Sequence, residues 1–189
     1  MMRRTWIPML TMLAGLGVPA MGLAQTAAKP AAFQLTSTDV KNGAFSPAQI
    51  FNSFGCSGQN VSPQLAWTGA PAGTKSFVLT VYDPDAPTGS GFWHWVVMNI
   101  PAATTSLPTG ASKTKMPAGS VEIRTDFGTP GYGGPCPPAG DKPHRYIFTL
   151  YTIKVEKLDA TADATAAIVG FNTHFNQIGS ATFTAHYGR

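Results

Sequence analysis

Tyr82-Asp83-Pro84-Asp85-Ala86-Pro87, followed closely by Phe92-Trp93-His94-Trp95, joins two apolar runs through an acidic, proline-stiffened loop. Proline fixes φ, lacks an N–H and drives the residue before it into extended backbone. Asp83 is therefore presented on a rigid, extended segment. On one side of the loop, Ser76–Tyr82 has the period of a strand: Phe77, Leu79 and Val81 fall on one face, and Ser76, Val78, Thr80 and Tyr82 on the other. On the other side, past Gly89, Ser90 and Gly91, residues His94 to Ile100 are almost continuously apolar, as in a strand buried on both faces, and Pro101 ends the run. A rigid carboxylate facing a histidine across a short loop points to a polar site on a β scaffold. The same residues also fit a plain Asp-Pro turn beside a surface histidine.

Outward from this stretch the chain reads as mostly β. Charged residues make up only 12% of it, while 20 glycines and 16 prolines break short apolar runs. Phe33-Gln34-Leu35-Thr36 alternates like an edge strand, Lys41-Asn42-Gly43 is a turn, residues 54–60 are loop, and Gln64-Leu65-Ala66-Trp67 is a short strand closed by the turn at 69–73. Residues 104–120 read as a long surface excursion, and 128–140, with five glycines and four prolines around Cys136, as irregular structure. Arg145 to Ile153 is a further core strand, and Ala181 to Tyr187 a terminal one that carries His186 as a structural residue. Helical spacing occurs once, in Ala164, Ala167, Ile168, Phe171, Phe175 and Ile178, with Asp163 as N-cap, Gly179 as the C′ glycine and His174 off the stripe in solvent. No internal repeat or linker is visible.

The first residues read differently. Arg3 and Arg4 precede an uncharged apolar stretch, Trp6 to Gly22, that ends at the small-residue site Gly22-Leu23-Ala24, the pattern of a secretory signal peptide over 1–24. Pro8, Pro19 and several glycines argue against a retained membrane span, and the flanks of Arg3-Arg4 fit a twin-arginine signal poorly. Ala27-Ala28 offers a second cleavage point, and 25–32 is a small-residue leader expected to be disordered. Residues 33–189 then form one domain, periplasmic or secreted. The formal net charge of +4 includes Arg3 and Arg4, and no Lys/Arg cluster marks a nucleic-acid partner. Two cysteines, Cys56 and Cys136, in an exported chain suggest one disulfide, the alternative being a cysteine nucleophile paired with a histidine.

A second stretch, Gly134-Pro135-Cys136-Pro137-Pro138-Ala139-Gly140-Asp141-Lys142-Pro143-His144-Arg145-Tyr146, runs from a stiff loop into a core strand. Strand alternation sets His144 and Tyr146 on one face. Asp-Pro-Asp-Ala-Pro, a Trp-His-Trp strand ending at Asn99, and Gly-Pro-Cys-Pro-Pro before His-Arg-Tyr together resemble the phosphatidylethanolamine-binding protein family, in particular its exported bacterial Raf-kinase-inhibitor-like branch. The likeness runs from Phe33 to Arg189 and includes Val169-Gly170-Phe171 and the Tyr187-Gly188-Arg189 ending. It implies a mostly β fold of two antiparallel sheets with few helices, and a small anion pocket. Asp83, His94, Pro137, Pro138, His144 and Tyr146 would line that pocket, with Asp85 and Pro87 supporting the loop. The chain departs from the family pattern at Trp95 and in its two cysteines. The kinase-inhibitor name does not carry over as a function, because an exported protein does not meet the cytosolic kinases of its own cell.

Two histidines, a tyrosine hydroxyl and loop N–H groups can donate to a phosphate. Asp83 opposes a fully ionised phosphate unless it orients a histidine, keeps it cationic, or accepts a proton carried by the ligand. The expectation is a non-catalytic module for a small anion or phosphorylated headgroup, with no cofactor; the alternative is a protein-interaction or inhibitor module using the pocket face. Asp83, Asp85, His94 and His144 lack the tight spacing of a metal site, and no nucleophile elbow is present.

Overall fold

The computed structural model describes Met2 and residues 32–189. The segment read as a signal peptide, apart from Met2, and nearly all of the leader lie outside the described residues. Among the described residues eight strands and one helix follow in order: β1 Gln34–Thr36, β2 Leu65–Thr68, β3 Ser76–Asp83, β4 Phe92–Pro101, β5 Ser106–Leu107, β6 Val121–Glu122, β7 His144–Ile153, α1 Ala166–Asn176 and β8 Gln177–Tyr187. They build two antiparallel sheets, one of three strands in the order β1-β2-β5 and one of five in the order β6-β4-β3-β7-β8.

The five-stranded sheet is covered on both faces. Phe77, Leu79, Val81, Trp95, Phe148 and Leu150 pack toward the smaller sheet, against Leu35, Leu65, Trp67 and Leu107. Val78, Val96, Met98 and Ile153 point the other way, toward Ala166 and Val169 of α1. This two-sided burial explains the unbroken apolar character of β4 and the faces read for β3. Of the segments read as irregular, 128–140 contains no strand or helix, yet Tyr132 is buried within it. Residues 104–120 depart from the expected surface excursion: Leu107, in β5, and Ala111 are fully buried in the core.

The helix differs from its sequence reading. Thr165 is the N-cap, its hydroxyl accepting from the Ile168 N–H, whereas Asp163 instead accepts from the Thr161 hydroxyl. Gly179 is no C′ residue. The chain turns extended at Gln177 and runs directly into β8, where Gly179 pairs with Thr152. The buried face is Ala166, Val169 and Thr173, while Ile168, Phe171 and Phe175 stand 49%, 63% and 59% exposed. Small side chains let the helix lie close on the sheet, and the largest ones are turned outward.

Candidate functional site

Antiparallel pairing of the three central strands brings the C-terminal end of β3 beside the N-terminal ends of β4 and β7. Asp83 pairs with Phe92, and Tyr82 with Ile147. The two stiff loops found in the sequence therefore meet at one end of the sheet. A cavity of about 150 Å³ lies there, and Asp83, His94, Pro137, Pro138, His144 and Tyr146 all line it. Pro87 lines it as well, whereas Asp85 faces a neighbouring open cleft shared with Arg145 and His186.

Asp83 is buried and its oxygens are already engaged. Oδ1 accepts from the N–H groups of Asp85 (2.8 Å) and Ala86 (3.1 Å), the turn that Pro84 pre-forms, and Oδ2 lies 2.8 Å from His144 Nδ1. The carboxylate thus fixes the orientation of His144, one of the roles expected for it. His144 Nε2 lies 3.4 Å from Asp141 Oδ2 on the outer side. Asp85 grips Arg145 through Nε (2.9 Å), Nη2 (2.8 Å) and the backbone N–H (2.9 Å), and the Arg145 hydrogen bond holds its carboxyl down to about 2. Asp85 thereby locks the acidic loop to the start of β7.

His94 departs from its expected role as a donor. Its Nδ1 is 2.8 Å from the Gly133 carbonyl, so that nitrogen carries a proton and donates. Burial pushes the imidazole pKa down, only partly opposed by the Gly133 carbonyl and the charge of Asp83. The neutral ring therefore keeps a lone pair on Nε2, which has no hydrogen-bond partner among the described residues. Gly133 permits this contact: a Cβ there would stand 2.1 Å from the Phe127 ring. The Tyr146 hydroxyl is buried and also has no partner, and burial pushes its pKa up, so it remains a neutral donor. Pro137 and Pro138 have no N–H, and their carbonyls accept from Arg189 Nε (2.7 Å) and the Asp141 N–H (3.3 Å). They contribute surface to the cavity, not hydrogen bonds.

The site holds more apolar surface than the sequence reading gave it. Phe127 stacks edge-on against His94 (5.3 Å between centroids) and Phe92 (4.8 Å), and Phe54 completes the rim at 67% exposure. Phe92 was legible as the strand neighbour two positions from His94. Phe127 had no local signal, because its place depends on Asp126, which accepts from the Trp93 N–H and donates its own to the Trp93 carbonyl. Cys56 and Cys136 form a disulfide, as their even count suggested, and Cys136 lines the cavity. Arg189 reinforces the same rim by donating to the carbonyls of Phe54 and Gly55. Among the described residues no group of three or more potential ligands is placed to hold a metal ion.

The family described as phosphatidylethanolamine-binding protein matches residues 36–188. YbcL of Escherichia coli is 51% identical over 164 residues, covering 85% of this chain and 90% of YbcL, and YbhB of the same organism is 51% identical over 157 residues, covering 82% and 99%. LppC of Mycobacterium tuberculosis, named as a lipoprotein, is 42% identical over 132 residues, covering 69% and 61%. The crystal structure of YbcL, described as a member of the mammalian PEBP family, superposes with a TM-score of 0.81 over 84% of this chain and 99% of YbcL.

Proposed function

The chain belongs to the phosphatidylethanolamine-binding protein family, and we propose that its pocket binds a phosphate or phosphorylated headgroup that carries one proton, and does not transform it. One observation carries this reading. Two side chains that line the same small cavity each keep a polar atom with no hydrogen-bond partner among the described residues, the acceptor Nε2 of His94 and the donor hydroxyl of Tyr146. A monoanionic phosphate offers the complement: its P–O–H donates to Nε2 and a P–O oxygen accepts from Tyr146. A dianion has no proton to give and meets the Asp83 carboxylate at close quarters. The phenylalanine wall suits the apolar part of an esterified ligand. Cys136 is bridged, so it supplies no free thiol for covalent chemistry.

The signal-like start of the chain and the lipoprotein name of LppC support export, and N-terminal sequencing of the protein recovered from cells tests it. An interaction module built on the pocket face is the second reading, favoured by Phe54, which projects from the rim in a left-handed conformation at φ 56°. Calorimetric titration with phosphoethanolamine at pH 6 and pH 8 tests the first. Binding that strengthens toward pH 6 and is lost in His94→Ala and Tyr146→Phe supports it, and equal affinity in all three proteins removes it.

A further inference from the structure

The far side of the five-stranded sheet carries a second cavity. Helix α1 covers Val78, Val96, Met98 and Ile153 with Ala166 and Val169, but the sheet extends beyond the helix edge. There a crevice of about 200 Å³ opens, with Thr80 of β3, Trp93 of β4 and Tyr151 of β7 on one side, and Thr173, His174 and Gln177 on the other.

The polar groups of this crevice are underused. Thr173 is 4% exposed and its Oγ1 has no hydrogen-bond partner among the described residues. A helical threonine ordinarily returns its hydroxyl to the carbonyl four residues back, and this one does not. A buried hydroxyl without a partner is costly, so its retention at a cavity wall points to a partner from outside the chain. Thr80 is buried beside it. Gly170, exposed to solvent, also lines the crevice, and a Cβ at that position would meet nothing within 4 Å, so a larger side chain has room there. Glycine inside a helix is otherwise a poor choice.

The wall chemistry narrows the ligand. Among the described residues no Asp, Glu, Lys or Arg lines the crevice, and its one imidazole, His174, is exposed to solvent, so an ionised ligand would lose its hydration without gaining a buried counter-charge. Trp93 and Tyr151 supply apolar ring surface, and the hydroxyls and the Gln177 amide supply hydrogen bonds of either sense. The Trp93 wall is fixed in advance: its ring lies 4.4 Å from that of Tyr82, and its backbone N–H donates to Asp126 Oδ2 at 2.7 Å. We infer that this crevice is a second binding site, separate from the headgroup pocket, for one uncharged polyhydroxylated ring of monosaccharide size. The C–H faces of such a ring pack on the aromatic side chains, and its hydroxyls pair with Thr173, Thr80 and Gln177.

The test is an NMR titration of the isotopically labelled chain with glucose and with N-acetylglucosamine, with glucuronate as the charged control. Saturable shifts are expected at the Trp93 indole N–H and the Thr80 and Thr173 amides with the neutral sugars, and weaker or no response to glucuronate. Thr173→Val, nearly isosteric, should weaken binding at least fivefold, and Gly170→Leu, which fills the crevice, should abolish it; His94→Ala should leave it unchanged. Absence of saturable shifts with both neutral sugars overturns the site. So does binding that survives undiminished in Thr173→Val, which keeps the test decisive if Gly170→Leu folds poorly.

Discussion

Asp83 and His144 meet across the end of the sheet at 2.8 Å, each side chain no more than 5% exposed. The same carboxylate closes its own loop through two backbone N–H groups. Asp83→Ala leaves three donors without an acceptor and is expected to destabilise the fold by about 2–4 kcal/mol. Asp83→Asn, whose amide oxygen still accepts the two backbone bonds, should cost less. Urea unfolding of the two variants checks the order, and equal costs would show that the loop bonds contribute nothing.

The low pKa of His94 makes stability depend on pH in one direction. Below its ordinary value of 6.5 the unfolded chain takes up a proton that the folded chain refuses, so the unfolded state binds more protons and stability falls as pH drops. The loss begins near pH 6.5 and approaches a limiting slope of about 1.4 kcal/mol per pH unit. His94→Gln should flatten the stability profile between pH 7 and pH 5, as followed by thermal or urea unfolding.

Asp85 titrates lower still. Held near 2 by Arg145, its contribution is complete above about pH 4 and is lost as pH falls toward the folded value. The pair is solvent-exposed, so Arg145→Met should cost little stability, and less at high salt. Carbon NMR of the Asp85 carboxyl should then return toward the ordinary aspartate range. An unmoved titration would break the assignment.

The bridge between Cys56 and Cys136 closes a long loop, with a sequence separation of 80. Reduction is expected to cost on the order of 4 kcal/mol in the chain-entropy account. Thiol titration of the denatured, unreduced protein should find no free thiol at either position.

The orientation of α1 is tested by paired truncations. Val169, fully buried, should lose about 1–3 kcal/mol on truncation to Ala, whereas Phe171→Ala should stay within about 0.5 kcal/mol despite removing more side chain. The reverse order would turn the helix over.

That helix also marks the limit of what the sequence discloses. The central strands were readable because burial on one face or two leaves period-2 or continuous apolar patterns, and β3, β4 and β7 carry both. Two stiff loops, each delivering a histidine, were readable from their prolines, but the full set of pocket residues was supplied by the resemblance to the family. The facing of α1 was not readable, since the largest side chains define the visible stripe while the sheet selects the small ones. The neutral state of His94 was also hidden, because it depends on the Gly133 carbonyl, 39 residues away. Phe127 and Arg189 reach the pocket only through contacts distant in sequence.

The disulfide divides the pocket into two mechanical parts. Asp83 and His94 lie within the covalent ring from Cys56 to Cys136, whereas His144 and Tyr146 lie on the open tail beyond it. Tension applied at the two chain ends passes through the bridge and loads the strands outside the ring, β1 on one side and β7 and β8 on the other, while β2 to β6 bear no load. Detaching β7 from β3 separates His144 and Tyr146 from Asp83 and His94, and the pocket reassembles only when β7 zips back onto β3.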